Sequence, residues 1–173
     1  MNDCKEILMD DIVRADFYRA STVTMVVPFS VPGVTETKVT QKVNGQVVDL
    51  SESKGEPLLS VGYSGSDLDV LMDTPSHKSA PKREAIGEVY QHTLQIPVIL
   101  GFEAAKSAIY ALNGEESVVV LTAYDGTKLT VHHFPHSSRL TYEDSRGGSR
   151  TGTLKYEAES YSGLVMLTKP TTT

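Results

Sequence analysis

SVVVLTAYDGTKLTVHHFP, residues 117–135, decides the fold class. Val118, Val119, Val120 and Leu121 form an uninterrupted apolar run. It is rich in β-branched side chains and too short for a helix, the pattern of a strand buried on both faces. Asp125-Gly126 follows, one of the strongest short hairpin signals, because its glycine accepts the positive φ such turns require. Residues 127–134 then return as the partner strand. The local reading is an antiparallel hairpin with a fully buried first strand.

Working outward, the same grammar recurs. Tyr90, His92, Leu94, Ile96, Val98 and Leu100 alternate with Gln91, Thr93 and Gln95, so residues 90–100 read as a strand with one buried face. Pro97 lacks an amide donor and predicts an edge or bulge there. Beyond the hairpin, residues 139–143, 152–158 and 163–168 complete a meander, punctuated by Gly147-Gly148 and by residues 160–163. Upstream, Asn44-Gly45 joins residues 34–43 to 46–50, a second hairpin. Residues 22–29 and the short run Leu58, Leu59, Val61, Tyr63 add further strands.

Two segments carry helical spacing. Phe102, Ala105, Ile109 and Leu112 share one face of a helix that Asn113-Gly114 would stop. Near the start, Leu8, Met9, Ile12, Val13 and Phe17 recur at helical intervals, with Asp10, Asp11 and Arg14 opposite and Asn2 or Asp3 as cap. Residues 64–87 fit neither period and read as a long loop or interaction arm. The expectation is an α+β, mainly antiparallel β chain. It is a single domain over residues 1–173, a sandwich or partly closed barrel with one packed helix and an N-terminal amphipathic helix or arm (1–20). Residues 88–168 form the most clearly specified core.

Composition narrows the function. The 173 residues are 39% hydrophobic and 22% charged, with a formal net charge of −6. That balance suits an ordinary globular chain and disfavours a dedicated nucleic-acid surface, which needs cations to replace phosphate counterions. Cys4 is the one cysteine, so neither an internal disulfide nor a cysteine zinc site is expected. MNDCKEILMDD is acidic where a signal peptide is basic, and no apolar run approaches the roughly 20 residues a membrane helix needs. Synthesis in the cytoplasm without secretion, and no membrane partner, are the expectations.

The chemistry-bearing clusters are weak. His132, His133 and His136 lie within five residues, but neighbours on a strand point to opposite faces, and a metal would need His92 or Glu143 as well. Histidines at a sheet edge are the preferred reading. The alternative is a cytoplasmic metal- or small-ligand-binding β domain centred on these three. Asp67, Asp69 and Asp73 lack the glycine and terminal glutamate of a calcium loop. Gly62-Tyr63-Ser64-Gly65 is not a nucleophile elbow, and residues 147–152 lack the lysine of a phosphate loop. No catalytic residue, metal or cofactor is therefore assigned.

The stretches EVYQHTLQIPVILGFEAAKSAIYALNG (88–114), SVVVLTAYDGTKLTVHHFP and SRLTYEDSRGGSRTGTLKYEAES (138–160) run strand, amphipathic helix, acidic-glycine hairpin, closing meander. In that order they resemble the small β-rich neck, connector and tail-ring proteins of tailed bacteriophages, tail-tube-like or tail-terminator-like. The flavour is that of phages infecting Bacteroidetes. The likeness covers less than half the chain. It implies a virion subunit made in the host cytoplasm. Its partners would be copies of itself in a ring and adjacent neck or tail proteins, with at most passing contact to DNA in a lumen. The contact residues then expected are Leu8, Ile12 and Phe17 on the first helix, Asn44 and Gly45 at a hairpin tip, and Leu68, Leu71, Lys82 and Arg83 in the 64–87 segment.

Overall fold

The structure is a computed structural model that describes residues 12–25, 36–52, 55–62, 70–72, 76–84, 87–100, 107, 109–111, 115–131, 136–144, 151–160 and 164–167. It is mainly antiparallel β. In chain order the strands are β1 (Ile12–Arg19), β2 (Val23–Met25), β3 (Glu36–Thr37), β4 (Val39–Val43), β5 (Gln46–Asp49), β6 (Leu59–Gly62) and β7 (Val70–Met72). They continue with β8 (Ser76–Glu84), β9 (Gly87–Leu100), β10 (Ser117–Ala123), β11 (Lys128–Thr130), β12 (Arg139–Asp144), β13 (Thr151–Ser160) and β14 (Val165–Leu167).

The central hairpin forms as its sequence requires. Residues 118–121 of β10 are buried on both faces. Gly126 takes φ +90, its amide donates to the Ala123 carbonyl at 2.9 Å, and Asp125 Oδ1 accepts from the Thr127 amide at 2.9 Å. This is a tight turn followed by a glycine bulge. Asn44 (φ 50) and Gly45 (φ 79) close β4 onto β5 in the two-residue turn that demands positive φ at both positions.

β9 is the spine. One edge pairs with β13 from Tyr90 to Ile99, while the other is shared by β8, over residues 87–95, and by β7, over residues 98–100. Pro97 falls between the end of the β8 register at Gln95 and the start of the β7 register at Val98. Of the edge or bulge expected, the edge is not found: the missing amide marks a break along an interior strand.

The strand order β12-β13-β9-β7-β6-β1-β10-β11-β14-β3 has two unjoined ends, so among the described residues the sheet is open. It nevertheless doubles back. β1 and β13 stand four strand steps apart, about 19 Å in a flat sheet, yet the rings of Phe17 and Tyr156 have centroids 6.3 Å apart. Between the two halves lies the main core of Phe17, Leu59, Val61, Val119 and Leu121 against Leu94, Ile96, Leu154 and Tyr156. Ser107, Ile109, Tyr110 and Ala111 are helical, and Ile109 packs into this core, as the helical spacing expected. Phe102, Ala105 and Leu112 lie outside the described residues.

The other face of β1 and β10 is covered by a small sheet of order β2-β4-β5. There Tyr18, Val118, Val120 and Leu167 pack on Val39 and Leu50. The buried Gln41 side chain ties in the following loop. Its Nε2 donates to the Glu56 carbonyl at 2.9 Å and its Oε1 accepts from the Glu56 amide at 2.7 Å. One side chain here does the work of a strand pair.

Two expectations are corrected. The N-terminal helix is not supported: residues 12–19 are β1, a central strand between β6 and β10. A strand covered on both faces loses its simple alternation and imitates a buried helical stripe. Ile12 and Phe17, expected as docking residues, are buried core instead; Leu8 lies outside the described residues. The 64–87 segment is not all loop. Ser76–Glu84 pairs residue for residue with β9, and Val70–Met72 bridges β6 and β9. Deleting that segment would strip one edge of the spine, so an arm cannot be removed independently of the fold. Leu71 sits in β7 opposite Ile99, Lys82 and Arg83 sit in β8 opposite Val89 and Glu88, and Leu68 lies outside the described residues.

Candidate functional site

The most concentrated polar chemistry among the described residues lies on the second face of the sheet, at the end away from Tyr18 and Val118. Residues directly opposite on antiparallel strands share a face. Arg14 of β1 pairs with Thr122 of β10, which pairs with Lys128 of β11, so the three form one row across the sheet. Asp16 is two residues along β1 and opposite Ser60 of β6.

Asp16 is the anchor. It is 3% exposed, and both its oxygens accept from Arg14 Nε at 2.9 Å. The Ser60 hydroxyl donates to Oδ1 at 2.7 Å, and Arg14 Nη2 reaches the Ser60 oxygen at 3.4 Å. A buried carboxylate needs such partners, because burying an unpaired charge costs several kcal/mol. The Arg14 side chain stays 41% exposed, so its charge reaches the surface.

Neighbouring groups feel the cluster. Burial, reinforced by Asp16 and opposed by Arg14, holds the Tyr18 phenol protonated well past its usual range. Burial lowers the Lys128 ammonium below the usual lysine value, with Asp16 opposing and Arg14 adding to the shift. The Thr122 hydroxyl oxygen is buried and has no hydrogen-bond partner.

The histidine cluster resolves only in part. His136 sits in the left-handed region (φ 63) with an exposed side chain. Its amide donates to Glu116 Oε1 at 2.8 Å and its Nδ1 lies 3.0 Å from Oε2, so one carboxylate fixes the turn. His132 and His133 lie outside the described residues. His92 is fully buried, its Nε2 2.8 Å from Ser160 Oγ. Among the described residues no group of three or more His, Cys, Asp or Glu is placed to hold a metal.

Of the expected contact residues, Asn44 and Gly45 occupy an exposed hairpin tip. Val47 of β5, beside that tip, is 72% exposed. Lys82 and Arg83 belong to β8 of the large sheet, whereas Asn44 and Gly45 close the hairpin of the small one. Sequence reasoning missed the Arg14–Asp16–Thr122–Lys128 group. The available signal was the two-residue alternation Arg14, Asp16 against Ala15, Phe17, which the helical spacing of their neighbours obscured.

No protein-family model matches this chain, and neither the curated proteins nor the solved structures include a match.

Proposed function

We propose that this chain is a virion structural protein, a ring-forming subunit of a phage neck or tail in the head–tail connector region, acting through protein–protein contacts without catalysis. The two facing halves of the sheet form an open sandwich on this reading, and its partners are copies of itself and adjacent neck or tail proteins. DNA makes at most passing contact in a lumen, and no membrane is involved.

The observation that supports it most is β8. Its sequence, SHKSAPKRE, contains only Ala80 and Pro81 as apolar residues, so it brings little hydrophobic material to a core. Nine residues are nonetheless ordered as an outer strand on β9, and no described strand pairs with the far edge. An outer strand leaves backbone donors and acceptors unpaired, and a head-to-tail contact repeated around an axis closes a ring. Lysines and a proline on that edge oppose indiscriminate sheet extension. The histidine-centred metal or ligand reading gains no comparable observation, since the one described member is engaged by Glu116.

Native mass spectrometry at several concentrations tests the proposal. A closed oligomer with one defined subunit number is expected. A chain that remains monomeric at every concentration, with β8 amides exchanging at the same rate throughout, would overturn it.

A further inference from the structure

We propose that Arg14, Thr122 and Lys128 form a binding site for an oxyanion, the carboxylate or phosphate class of ligand, on the second face of the sheet. The site is independent of whether the chain forms rings.

Charge, donor geometry and solvation point the same way. The cluster holds two cations, Arg14 and Lys128, against the single carboxylate of Asp16. Both Asp16 oxygens are occupied, by Arg14 Nε and the Ser60 hydroxyl. The carboxylate therefore clamps the guanidinium by one edge. Of the five N–H groups a guanidinium carries, those on its far side remain to donate. The Lys128 side chain makes no hydrogen bond and no close ion pair among the described residues, feeling Asp16 only at longer range, yet it is half-buried. A partly desolvated ammonium beside a guanidinium is the setting in which the charged form is disfavoured, and a bound anion relieves it. Between the two cations, in strict cross-strand register, sits the unpartnered Thr122 hydroxyl. A buried hydroxyl without a partner costs about 1–3 kcal/mol, a deficit that an oxyanion accepting its hydrogen bond removes.

The arrangement also explains why Asp16 does not neutralise the site itself. Asp16 aligns with Val120 and Thr130, one step along the strands from the Arg14–Thr122–Lys128 row. It positions Arg14 from the neighbouring row and lies outside the Arg14–Thr122–Lys128 row itself. Charge-assisted donors set on rigid strands recognise carboxylate and phosphate oxygens with little reorganisation.

The probe is inorganic phosphate, titrated at constant ionic strength into the full chain with amide NMR shifts as readout. The variants are Lys128→Gln and Thr122→Val, both of which leave the Arg14–Asp16 pair intact. Lys155→Gln, which removes an exposed pair with Glu157 on β13, is the control. A saturable shift at residues 14, 122 and 128, weakened about tenfold in Lys128→Gln and weakened in Thr122→Val but not in the control, assigns a free oxyanion ligand. If phosphate gives no saturable shift, the same residues are followed as protein concentration rises. A concentration-dependent shift abolished by Lys128→Gln then assigns the ligand as an acidic side chain of a second copy. Absence of both responses, or equal responses in all variants, overturns the site.

Discussion

Phe17 offers the sharpest contrast between the helical and the strand readings of the first residues. On an exposed amphipathic helix it would serve a partner, and truncating it would spare stability. In β1 it is fully buried, inside the main core and tilted 50° against the ring of Tyr156. Removing a buried phenylalanine to alanine costs about 3–5 kcal/mol, of which the ring contact accounts for about 0.5–1.5 kcal/mol. For a chain of this size each kcal/mol moves Tm by about 2–4 °C, so Phe17→Ala should lower it by about 6–20 °C. The milder truncation Phe17→Leu should cost less than the alanine, about 1–2 kcal/mol. With no tryptophan in the chain, urea unfolding is best followed by far-UV circular dichroism. A double-mutant cycle with Tyr156→Ala isolates the ring pair. A Phe17→Ala unfolding free energy within about 1 kcal/mol of wild type would refute the central placement of β1.

Four further outcomes are expected. Asp16→Asn keeps an acceptor for Ser60 but unpairs Arg14, and should destabilise by about 1–3 kcal/mol in the same urea assay. Gly152→Ala places a methyl group against the ring and hydroxyl of Tyr142, and should cost about 1–3 kcal/mol unless Tyr142 is also truncated. Gly45→Ala at φ +79 should cost about 1–2 kcal/mol, with faster amide exchange in β4 and β5 and little change in β9. Finally, burial raises the phenols of Tyr18 and Tyr156 above their ordinary value of 10.0. A raised acid keeps its proton in the fold, so this stability is intact below about pH 10 and falls as pH climbs further. Lys128 runs oppositely: its lowered value disfavours the fold while it is charged, and that penalty fades as it deprotonates. Tyrosinate absorbance should show two phenols ionising only with unfolding; ionisation of all tyrosines in the folded chain would contradict their burial.

The legible parts of the fold were those governed by local rules. Asn44-Gly45 and Asp125-Gly126 named their hairpins because positive φ has few residue solutions. β9 announced its buried face through strict alternation, and Ile109 reached the core as helical spacing required. What failed depended on distant pairing. β1 is a strand because β6 and β10 flank it, and neither lies nearby in sequence. The polar row was hidden for the same reason: Arg14, Thr122 and Lys128 become neighbours only through the register of three strands. β8 is different: it pairs locally with β9, Glu84 opposite Gly87, and was missed because SHKSAPKRE carries no apolar alternation.

That central pairing has a consequence during synthesis. β1 leaves the ribosome ahead of β10, one of its two flanking strands, which follows roughly a hundred residues later, about 5–20 s at ordinary elongation rates. Throughout that interval Ile12, Ala15 and Phe17 have no β10 to lie beside. The nascent chain therefore carries an incompletely flanked, aggregation-prone strand until the second half arrives. Yield should depend on translation speed and on chaperones that shield β1, as well as on the final stability of the folded chain.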